Sequence, residues 1–480
     1  MRGETHAVFI LHNNDTEGDS EMTELAAKCM RDEPRYRGLK KFHKKICLSS
    51  PTIHGEELDY IGKALEAGYM STAGENIDAL EKLVAEYTSV KHAVALSCGT
   101  AAIHLAVKLA AEELYGSSSG LSTPKGLGMG GSLLGKRVFC SDLTAAAAVN
   151  PVVYEGGEPV FIDASPDDWN MDPQVLELAF EKYPDVKLVV FVHLYGFPGQ
   201  IDIIKNICEK HGALLIEDAA ESLGARYKGK PIGSYGDYGI FSFGGNKIIT
   251  GSSGGVLLTN DGNGAARARK WSKQSREDAQ WYQHEELGYN YQMSDIVAGA
   301  VLGQWGHLEE HIAEKKRIYN CYTDKLGLLG VEMNPYDTRV SEPNYWMSCM
   351  RLEENSLCAI TKSDLSYTYE SVHGRTCPME ILEALEAFLA EGRPVWKPMH
   401  LQPIYRNHEF ISVDGGRWPS DGCCHGMLER ADEGRSLFDQ GICLPSDIKM
   451  TQDEQEQILE VIYACYNGRW FTGGVPGDGV

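Results

Sequence analysis

Residues 188–218 read LVVFVHLYGFPGQIDIIKNICEKHGALLIED, and this stretch decides the fold. It begins with a near-continuous apolar run, Leu188–Leu194, and it ends with a second run, Leu214–Ile216, which two acidic residues follow. Between the two runs, Ile203–His211 carries apolar residues at helical spacing. Two apolar strands joined by a helix are typical of a parallel sheet that helices cover on both faces.

The same alternation continues on both sides of this stretch. A helical pattern precedes it at Gln174–Lys182, and short apolar strands are predicted at Ala93–Leu96, Val138–Cys140, Val160–Ile162, Ile240–Phe243 and Val256–Leu258. From about residue 300 the pattern changes, with predicted helices around Leu302–Leu326, Met379–Ala390 and Asp453–Tyr466. The sequence therefore predicts an α/β fold with a mostly parallel central sheet and a smaller C-terminal α+β domain.

The chain divides into three parts by these patterns. Residues 1–45 carry mixed charge and little apolar periodicity, so we expect them to form a poorly ordered tail. Residues 46–300 form the predicted large domain, and residues 301–480 form the small one. Two stretches without periodicity, about 115–135 and about 360–377, are predicted to be insertions in these domains.

Composition argues against several classes of partner. The 480 residues include 45 Lys and Arg against 68 Asp and Glu, which gives a net charge of −23. Neither nucleic acid nor an anionic membrane surface is expected as the main partner of so acidic a chain. The sequence has no apolar run of the about 20 residues that a membrane helix needs, and it lacks the pattern of a secretory signal. We therefore expect a cytoplasmic protein.

The 13 cysteines are scattered along the chain and do not predict a metal centre. Cys423 and Cys424 stand beside His425, but the second pair of ligands that a zinc site needs is missing. We expect most of the cysteines to be buried, reduced thiols.

An anion site is predicted where the strand Ala93–Leu96 meets the following helix. Ser97, Cys98, Gly99 and Thr100 form a small polar turn there. Such a turn exposes backbone amides at the positive end of a helix, which suits a phosphate group. The alternative is a plain turn that only caps the helix.

Two further candidates carry the chemistry. Asp218 follows the strand Leu214–Ile216, at the end of a parallel strand where ligands bind; the alternative is an exposed loop acid or a helix cap. Lys247 follows Gly244, Gly245 and Asn246 and precedes the apolar pair Ile248 and Ile249. We therefore expect its amine to be partly desolvated and nucleophilic. The alternative for Lys247 is an ordinary surface lysine whose apolar stem is covered.

Taken together, the three candidates indicate one cofactor. Pyridoxal phosphate needs a lysine to form an imine, a carboxylate to protonate the pyridine nitrogen and a cradle for its phosphate. Lys247, Asp218 and the turn at Gly99 and Thr100 supply these three parts. Sites for zinc, for nucleotides bound by a P-loop and for NAD each lack some of their parts.

Six stretches resemble, in order, the motifs of the DegT-type nucleotide-sugar aminotransferases, which are fold type I enzymes dependent on pyridoxal 5'-phosphate. They are ALSCGTAAIH (95–104), VHLYG (192–196), IEDAAES (216–222), GIFSFGGNKIIT (239–250), GYNYQMS (288–294) and RPVWKPMH (393–400). The resemblance covers about residues 46–470 without the two insertions. The segments NKIIT and WKPMH are closest to the branch that acts on UDP-linked 4-keto-6-deoxy-N-acetylhexosamines, in exopolysaccharide and bacillosamine-type pathways.

The resemblance implies a role for each matching residue. Lys247 would bond to the cofactor and move the proton in the 1,3-shift, Asp218 would pair with the pyridine nitrogen, and Glu221 would lie near the ring hydroxyl. The other implied residues bind the phosphate or the substrate: Gly99, Thr100 and Ser242 hold the phosphate, Asn290 reaches it from the neighbouring subunit, and His400 lies near the nucleotide sugar. A homodimer is therefore the expected working unit.

One position departs from the family pattern. The family usually has an aromatic residue after the threonine that corresponds to Thr144, where it stacks on the cofactor ring. This sequence has Ala145 there. The loss of a stacked ring is expected to weaken cofactor binding by on the order of 1 kcal/mol.

The resemblance implies an aminotransferase that takes an amino group, expected to come from glutamate, and delivers it to C4 of a UDP-linked 4-keto-6-deoxy sugar. Three alternatives stay open at this point. The enzyme could act at C3, it could be a sugar dehydratase, or the chain could bind pyridoxal phosphate with little catalysis. Lys247 argues against the dehydratase, since a related dehydratase branch carries histidine at that position.

Overall fold

The structure, a computed structural model, describes residues 24, 25, 27–116, 131–414 and 432–466. Most of the first predicted insertion lies outside the described residues, and so do Cys423, Cys424 and His425. The first half of the predicted tail also lies outside them.

The strands and helices alternate along most of the chain. The strands are β1 (His92–Leu96), β2 (Arg137–Ser141), β3 (Glu158–Ile162), β4 (Leu188–Val192), β5 (Leu214–Asp218), β6 (Arg226–Tyr227), β7 (Lys230–Pro231), β8 (Tyr238–Ser242), β9 (Gly255–Thr259), β10 (Glu332–Met333), β11 (Ser341–Glu342), β12 (Cys349–Arg351), β13 (Ile360–Lys362), β14 (Tyr367–Tyr369), β15 (Arg393–Pro394), β16 (Phe410–Ile411) and β17 (Gly441–Cys443). The α-helices are α1 (Glu56–Glu66), α2 (Glu75–Thr88), α3 (Gly99–Tyr115), α4 (Ala146–Tyr154), α5 (Pro173–Lys182), α6 (Ile201–His211), α7 (Gly262–Ser272), α8 (Asp295–Trp305), α9 (Leu308–Leu326), α10 (Pro378–Ala387), α11 (Glu433–Gln440) and α12 (Gln452–Cys465).

The central sheet has eight strands in the order β1-β9-β8-β5-β4-β2-β3-β16. Pairing is parallel from β8 through to β16, whereas β9 pairs antiparallel with both β8 and β1. All strands except β9 therefore point the same way. The prediction of a mostly parallel α/β sheet is confirmed.

Strand β4 and helix α6 show why the sequence folds in this way. All five residues of β4 are buried, since helices cover both faces of the sheet. In α6 the buried residues are Ile201, Ile204 and Cys208, one face of a helix at a spacing of three and four residues. The helix ends at Gly212, which adopts the left-handed conformation (φ 61°) that glycine tolerates best.

The C-terminal part carries a second sheet of four antiparallel strands, in the order β10-β12-β17-β15. The predicted helical stretch Leu302–Leu326 proves to be two helices, α8 and α9, which separate at Gly306 and His307. In the second predicted insertion, β13 and β14 pair antiparallel as a small hairpin. Strand β16 leaves this part and joins the edge of the central sheet beside β3.

The described part of the predicted tail packs against the C-terminal part. Tyr36 is buried, with its hydroxyl 3.4 Å from Cys465 Sγ of the last helix. Phe42 is also buried, and its amide donates to the carbonyl of Phe388. Two apolar residues six positions apart give no periodic signal, which is why the sequence pattern does not reveal this packing.

Among the described residues, no helix combines the length and the apolar character that would let it cross a membrane.

Candidate active site

Three of the predicted site residues lie at one edge of the central sheet. Asp218 is the last residue of β5 and Ser242 is the last residue of β8, and these two strands are parallel neighbours. Gly99 begins α3, just beyond the carboxyl end of β1. Ligands of parallel α/β sheets bind at this edge, so the fold brings these candidates to the expected place.

The start of α3 forms the candidate phosphate cradle. A Cβ atom on Gly99 would lie 2.9 Å from the Cβ of Ser242, so only glycine allows the helix to come this close to β8. Cys98 caps the helix, and its Sγ accepts from the amide of Ala101. The first amides of a helix, here those of Gly99 and Thr100, have no carbonyl partner within the helix and can donate to an anion.

Asp218 is a buried carboxylate close to the candidate lysine. One of its oxygens accepts from the amide of Ala220 at 3.0 Å. Burial raises the pKa of Asp218 to about 6, although the amide of Ala220 and the positive charge of Lys247 act in the opposite direction. The carboxyl group is therefore mostly ionised at neutral pH, as a partner for a positively charged ring nitrogen must be.

Glu221, in the segment that follows Asp218, lies close to Lys247. Its Oε1 lies 3.7 Å from Lys247 Nζ, and its Oε2 accepts from the amide of Tyr195 at 2.6 Å. Tyr195 has a positive φ of 56°, which turns its amide toward the carboxylate. Burial raises the pKa of Glu221, against the opposing effects of Lys247 and of the Tyr195 amide.

Lys247 also contacts Trp346, a residue that no sequence pattern singled out. Its side chain is only 16% exposed, and its Nζ lies 4.2 Å from the centroid of the Trp346 ring. Trp346 precedes β12 and is distant in sequence, so strand and helix patterns cannot place it beside Lys247. The pair of neighbouring aromatic residues, Tyr345 and Trp346, is the one signal in the sequence at this point.

His400 lies at the carboxyl end of β2, in contact with two aspartates. Its Nδ1 lies 2.7 Å from Asp142 Oδ2, and its Nε2 lies 3.3 Å from Asp432 Oδ2. Burial alone would lower the pKa of His400, but Asp142 and Asp432 outweigh burial and raise it to about 10. Both ring nitrogens therefore face protein carboxylates, and substrate contact by His400 stays a prediction.

Asp163 adds a third carboxylate to this cluster. It follows β3 and accepts from the amides of Glu433 and Gly434 at the start of α11, both at 3.1 Å. Burial, together with the charges of Asp142 and Asp432, raises the pKa of Asp163 to about 8. The cluster ties the start of α11 to the carboxyl ends of β2 and β3. No group of described residues has the arrangement of a metal site.

Asn290 is exposed, and its two neighbours hold its backbone against the protein. The Tyr291 hydroxyl lies 3.2 Å from His104 Nδ1, and the Tyr289 hydroxyl donates to Glu155 at 3.5 Å. Because adjacent side chains in an extended segment point to opposite sides, Asn290 faces outward. Its side chain is therefore available to a second molecule, and its role at a neighbouring phosphate stays a prediction.

Ala145 occupies the N-cap of α4 and offers no ring to the site. The aromatic side chains near Lys247 come from elsewhere in the fold. Trp346 and Tyr195 stack with their ring centroids 6.5 Å apart, and Tyr195 also stacks with Trp396, at 6.3 Å.

These residues fit pyridoxal phosphate on structural grounds. A shielded lysine, a buried carboxylate ionised at neutral pH and a cradle that a Cβ atom would fill all lie at one sheet edge. Fold and site together define the class of fold type I enzymes dependent on pyridoxal phosphate. Residues 51–463 match the model of the DegT/DnrJ/EryC1/StrS aminotransferase family, and the chain belongs to this family.

Relatives and solved structures agree with this assignment. The chain is 38% identical over 431 residues to EpsN of Bacillus subtilis strain 168, whose name describes a pyridoxal phosphate-dependent aminotransferase; the match covers 88% of this chain and 97% of EpsN. It is 34% identical over 402 residues to a GDP-perosamine synthase of Caulobacter vibrioides, covering 82% of this chain and 96% of that one. The fold matches the sugar aminotransferase Spr1654 of Streptococcus pneumoniae in its PLP form, with a TM-score of 0.70, 21% identity and coverage of 88% and 99%.

The predicted family, enzyme class and cofactor are confirmed. The protein is a sugar aminotransferase that depends on pyridoxal phosphate and acts on nucleotide sugars.

Proposed function

We propose that the protein moves an amino group from glutamate to C4 of a UDP-linked 4-keto-6-deoxy sugar, for the biosynthesis of a surface polysaccharide or glycan. The observation that carries the proposal is the placement of Lys247, Glu221 and Asp218 together beside the cradle at Gly99. The choice of a UDP sugar and of C4 rests on the resemblance of NKIIT and WKPMH to that branch of the family.

Each residue has a defined task in this proposal. When bound, pyridoxal phosphate supplies a carbonyl that takes up amines and a ring that stabilises negative charge on the adjacent carbon. Lys247 Nζ would hold the cofactor and would carry the proton that the transfer moves. The Asp218 carboxylate would keep the ring nitrogen protonated, and Glu221 Oε1, 3.7 Å from Lys247 Nζ, would be a polar neighbour of the amine.

The phosphate is held by the start of α3 and by β8. The amides of Gly99 and Thr100 donate to it from the positive end of the helix, and the Ser242 hydroxyl adds a further donor. We propose that Asn290 of a second copy completes this cradle, which makes a homodimer the working unit. The outward position of Asn290 supports this arrangement.

The first test is an absorbance spectrum of the purified protein with added pyridoxal phosphate. We expect visible colour from cofactor bound to Lys247, and we expect glutamate to bleach it. After reduction with borohydride, mass spectrometry should find the cofactor attached to Lys247 in the wild type and in the exposed Lys91→Ala, and unattached in Lys247→Ala, whose activity should fall by a factor on the order of 10²–10⁴ or more. Cofactor that stays attached to Lys247→Ala after reduction would refute the assignment of the lysine, and colour that persists with glutamate would refute that donor.

The second test separates the sugars. The protein is supplied with UDP-linked and GDP-linked 4-keto-6-deoxy sugars, and the products are examined by NMR. An amine at C4 of the UDP sugar supports the proposal. A preference for the GDP sugar, an amine at C3 or a dehydrated product would each replace it, and the similarity to the GDP-perosamine synthase makes the GDP sugar the most informative competitor.

A further inference from the structure

Trp346 contacts Lys247 in two separate ways. The face of its ring lies 4.2 Å from the lysine ammonium, within the range of a cation–π interaction. Its Nε1 donates a 2.7 Å hydrogen bond to the carbonyl of Asn246, the residue that precedes Lys247. One side chain therefore holds both the amine and the backbone from which the lysine extends.

Trp346 is itself fixed from both sides of its backbone. Its amide donates to Asn344 Oδ1 at 2.9 Å, and its carbonyl accepts from Lys315 Nζ at 3.0 Å. Asn344 Nδ2 in turn donates to the carbonyls of Glu221 and Leu223, both at 2.9 Å. The tryptophan is thus connected to the same segment that carries Glu221.

Lys315 supports this arrangement from the interior. It is buried, and burial lowers its pKa to about 7. Its second hydrogen bond goes to Ser49 Oγ at 3.0 Å. A lysine bonded to one carbonyl and one hydroxyl acts as a donor whether it is charged or neutral, so it can hold Trp346 in both states.

We propose that Trp346 is the positioning residue for Lys247 and that its ring face is the resting place of the lysine amine whenever that amine is free. This inference rests on the role of Lys247 proposed above. The reaction requires the amine to leave the cofactor and return to it in every cycle. A ring face attracts the ammonium without accepting a hydrogen bond, so the amine stays near its working position and its protons stay available for transfer.

Three variants separate the two contacts. Trp346→Leu removes both of them, and Trp346→Phe keeps a ring face but loses the bond to Asn246. Trp305→Phe is the matched control, because Trp305 packs on Tyr87 and has no contact with Lys247 among those the structure describes. For Trp346→Leu we expect kcat to fall roughly tenfold at unchanged KM, a factor in the range of one cation–π contact, with partial recovery in Trp346→Phe.

A second readout needs no turnover. The cofactor-free protein is treated with formaldehyde and cyanoborohydride, and methylation of Lys247 is followed over time by mass spectrometry. Because the ring covers one side of the amine, we expect methylation to be several-fold faster in Trp346→Leu than in wild type, and close to wild type in Trp346→Phe and Trp305→Phe.

The outcomes distinguish this proposal from the assignment of Lys247 itself. Equal methylation rates in wild type and Trp346→Leu would overturn the positioning role, even if Lys247→Ala is inactive. A rise in KM without a change in kcat would also overturn it, because it would make Trp346 a substrate contact. Should Trp346→Leu fail to fold, kcat of Trp346→Phe against that of Trp305→Phe decides: a lower kcat in Trp346→Phe supports the positioning role through the bond to Asn246, and equal values would overturn it.

Discussion

Among the single residues of the site, Asp218 shows most directly how burial sets chemistry. Its carboxyl group has a pKa of about 6 because the interior disfavours the charged form. A positively charged ring nitrogen beside it would favour that charged form again. Binding of the cofactor and ionisation of Asp218 should therefore be linked.

This linkage predicts a pH dependence of cofactor binding. Affinity for pyridoxal phosphate should rise as the pH rises toward about 6, by up to about tenfold per pH unit, and then level off. Asp218→Asn should bind more weakly and lose this part of the dependence. Fluorescence titration of each apoprotein with the cofactor, at several pH values, measures the affinity of the wild type and of Asp218→Asn. A wild-type profile identical to that of Asp218→Asn would contradict the pairing.

His400 leads to a prediction about stability. Its pKa in the folded protein, about 10, is above the ordinary value of 6.5, so the imidazolium stabilises the fold below pH 6.5 and this contribution is lost as the pH rises toward 10. His400→Gln leaves Asp142 and Asp432 without their counter-charge, and we expect a loss of about 3 kcal/mol at neutral pH.

Denaturant unfolding at pH 6, 8 and 9.5 tests this prediction about His400. The difference in unfolding free energy between wild type and His400→Gln should be largest at the lowest pH and shrink with each step. The exposed His43→Gln serves as control and should show no difference. A difference that does not vary with pH would mean that the pKa of His400 is the same in the folded and the unfolded protein.

The candidate residues that sequence patterns could place lie in or next to regular elements. Asp218 and Gly99 could be placed at the ligand-binding edge because each lies at a strand or helix end, whereas Ser242 was expected only from the family resemblance. Trp346, Asp142 and Asp432 could not, because their contacts with Lys247 and His400 are formed between segments far apart in the chain. No local pattern encodes such contacts.

At the scale of elements, helix α3 approaches strand β8 closely at Gly99. Gly99→Ala would place a Cβ atom 2.9 Å from the Cβ of Ser242, so the helix must move away from the strand. We expect a loss of about 1–3 kcal/mol in stability and weaker phosphate binding.

A matched glycine makes the test of Gly99→Ala specific. Gly62 lies inside α1, and nothing lies within 4 Å of the Cβ that alanine would add. Gly62→Ala should therefore raise stability, by about 0.5–1 kcal/mol, because alanine favours the helix. Unfolding curves and cofactor titrations of both variants measure stability and cofactor affinity. A Gly99→Ala protein that is as stable as wild type and binds the cofactor as tightly would show that α3 is free to shift.

The buried five-residue strands of the central sheet were predicted well, for a physical reason. The buried parallel strands, such as β4 and β5, are short apolar runs that stand out in any window. The break between α8 and α9 lies at Gly306, where helical spacing continues across a residue that only weakly opposes a helix. Strand β16 has two residues, too few for any alternation to show.

At the scale of the whole molecule, a site shared between two copies can be tested by mixing inactive variants. Lys247→Ala and Asn290→Ala should each be impaired as homodimers. After exchange of subunits, activity should recover to roughly a quarter of wild type, because half of the dimers are mixed and each of those has one intact site. Native mass spectrometry that shows mixed dimers without recovered activity would place Asn290 in its own subunit's site or outside the site.

Strand β16 carries a consequence for synthesis of the chain. Until residues 410 and 411 have left the ribosome, the backbone of β3 stays unpaired along one side, although the rest of the central sheet is already complete. An open strand edge is a template for aggregation with other chains. The enzyme therefore completes its large sheet last at the edge beside β3, and truncated products that end before Phe410 should collect as insoluble material.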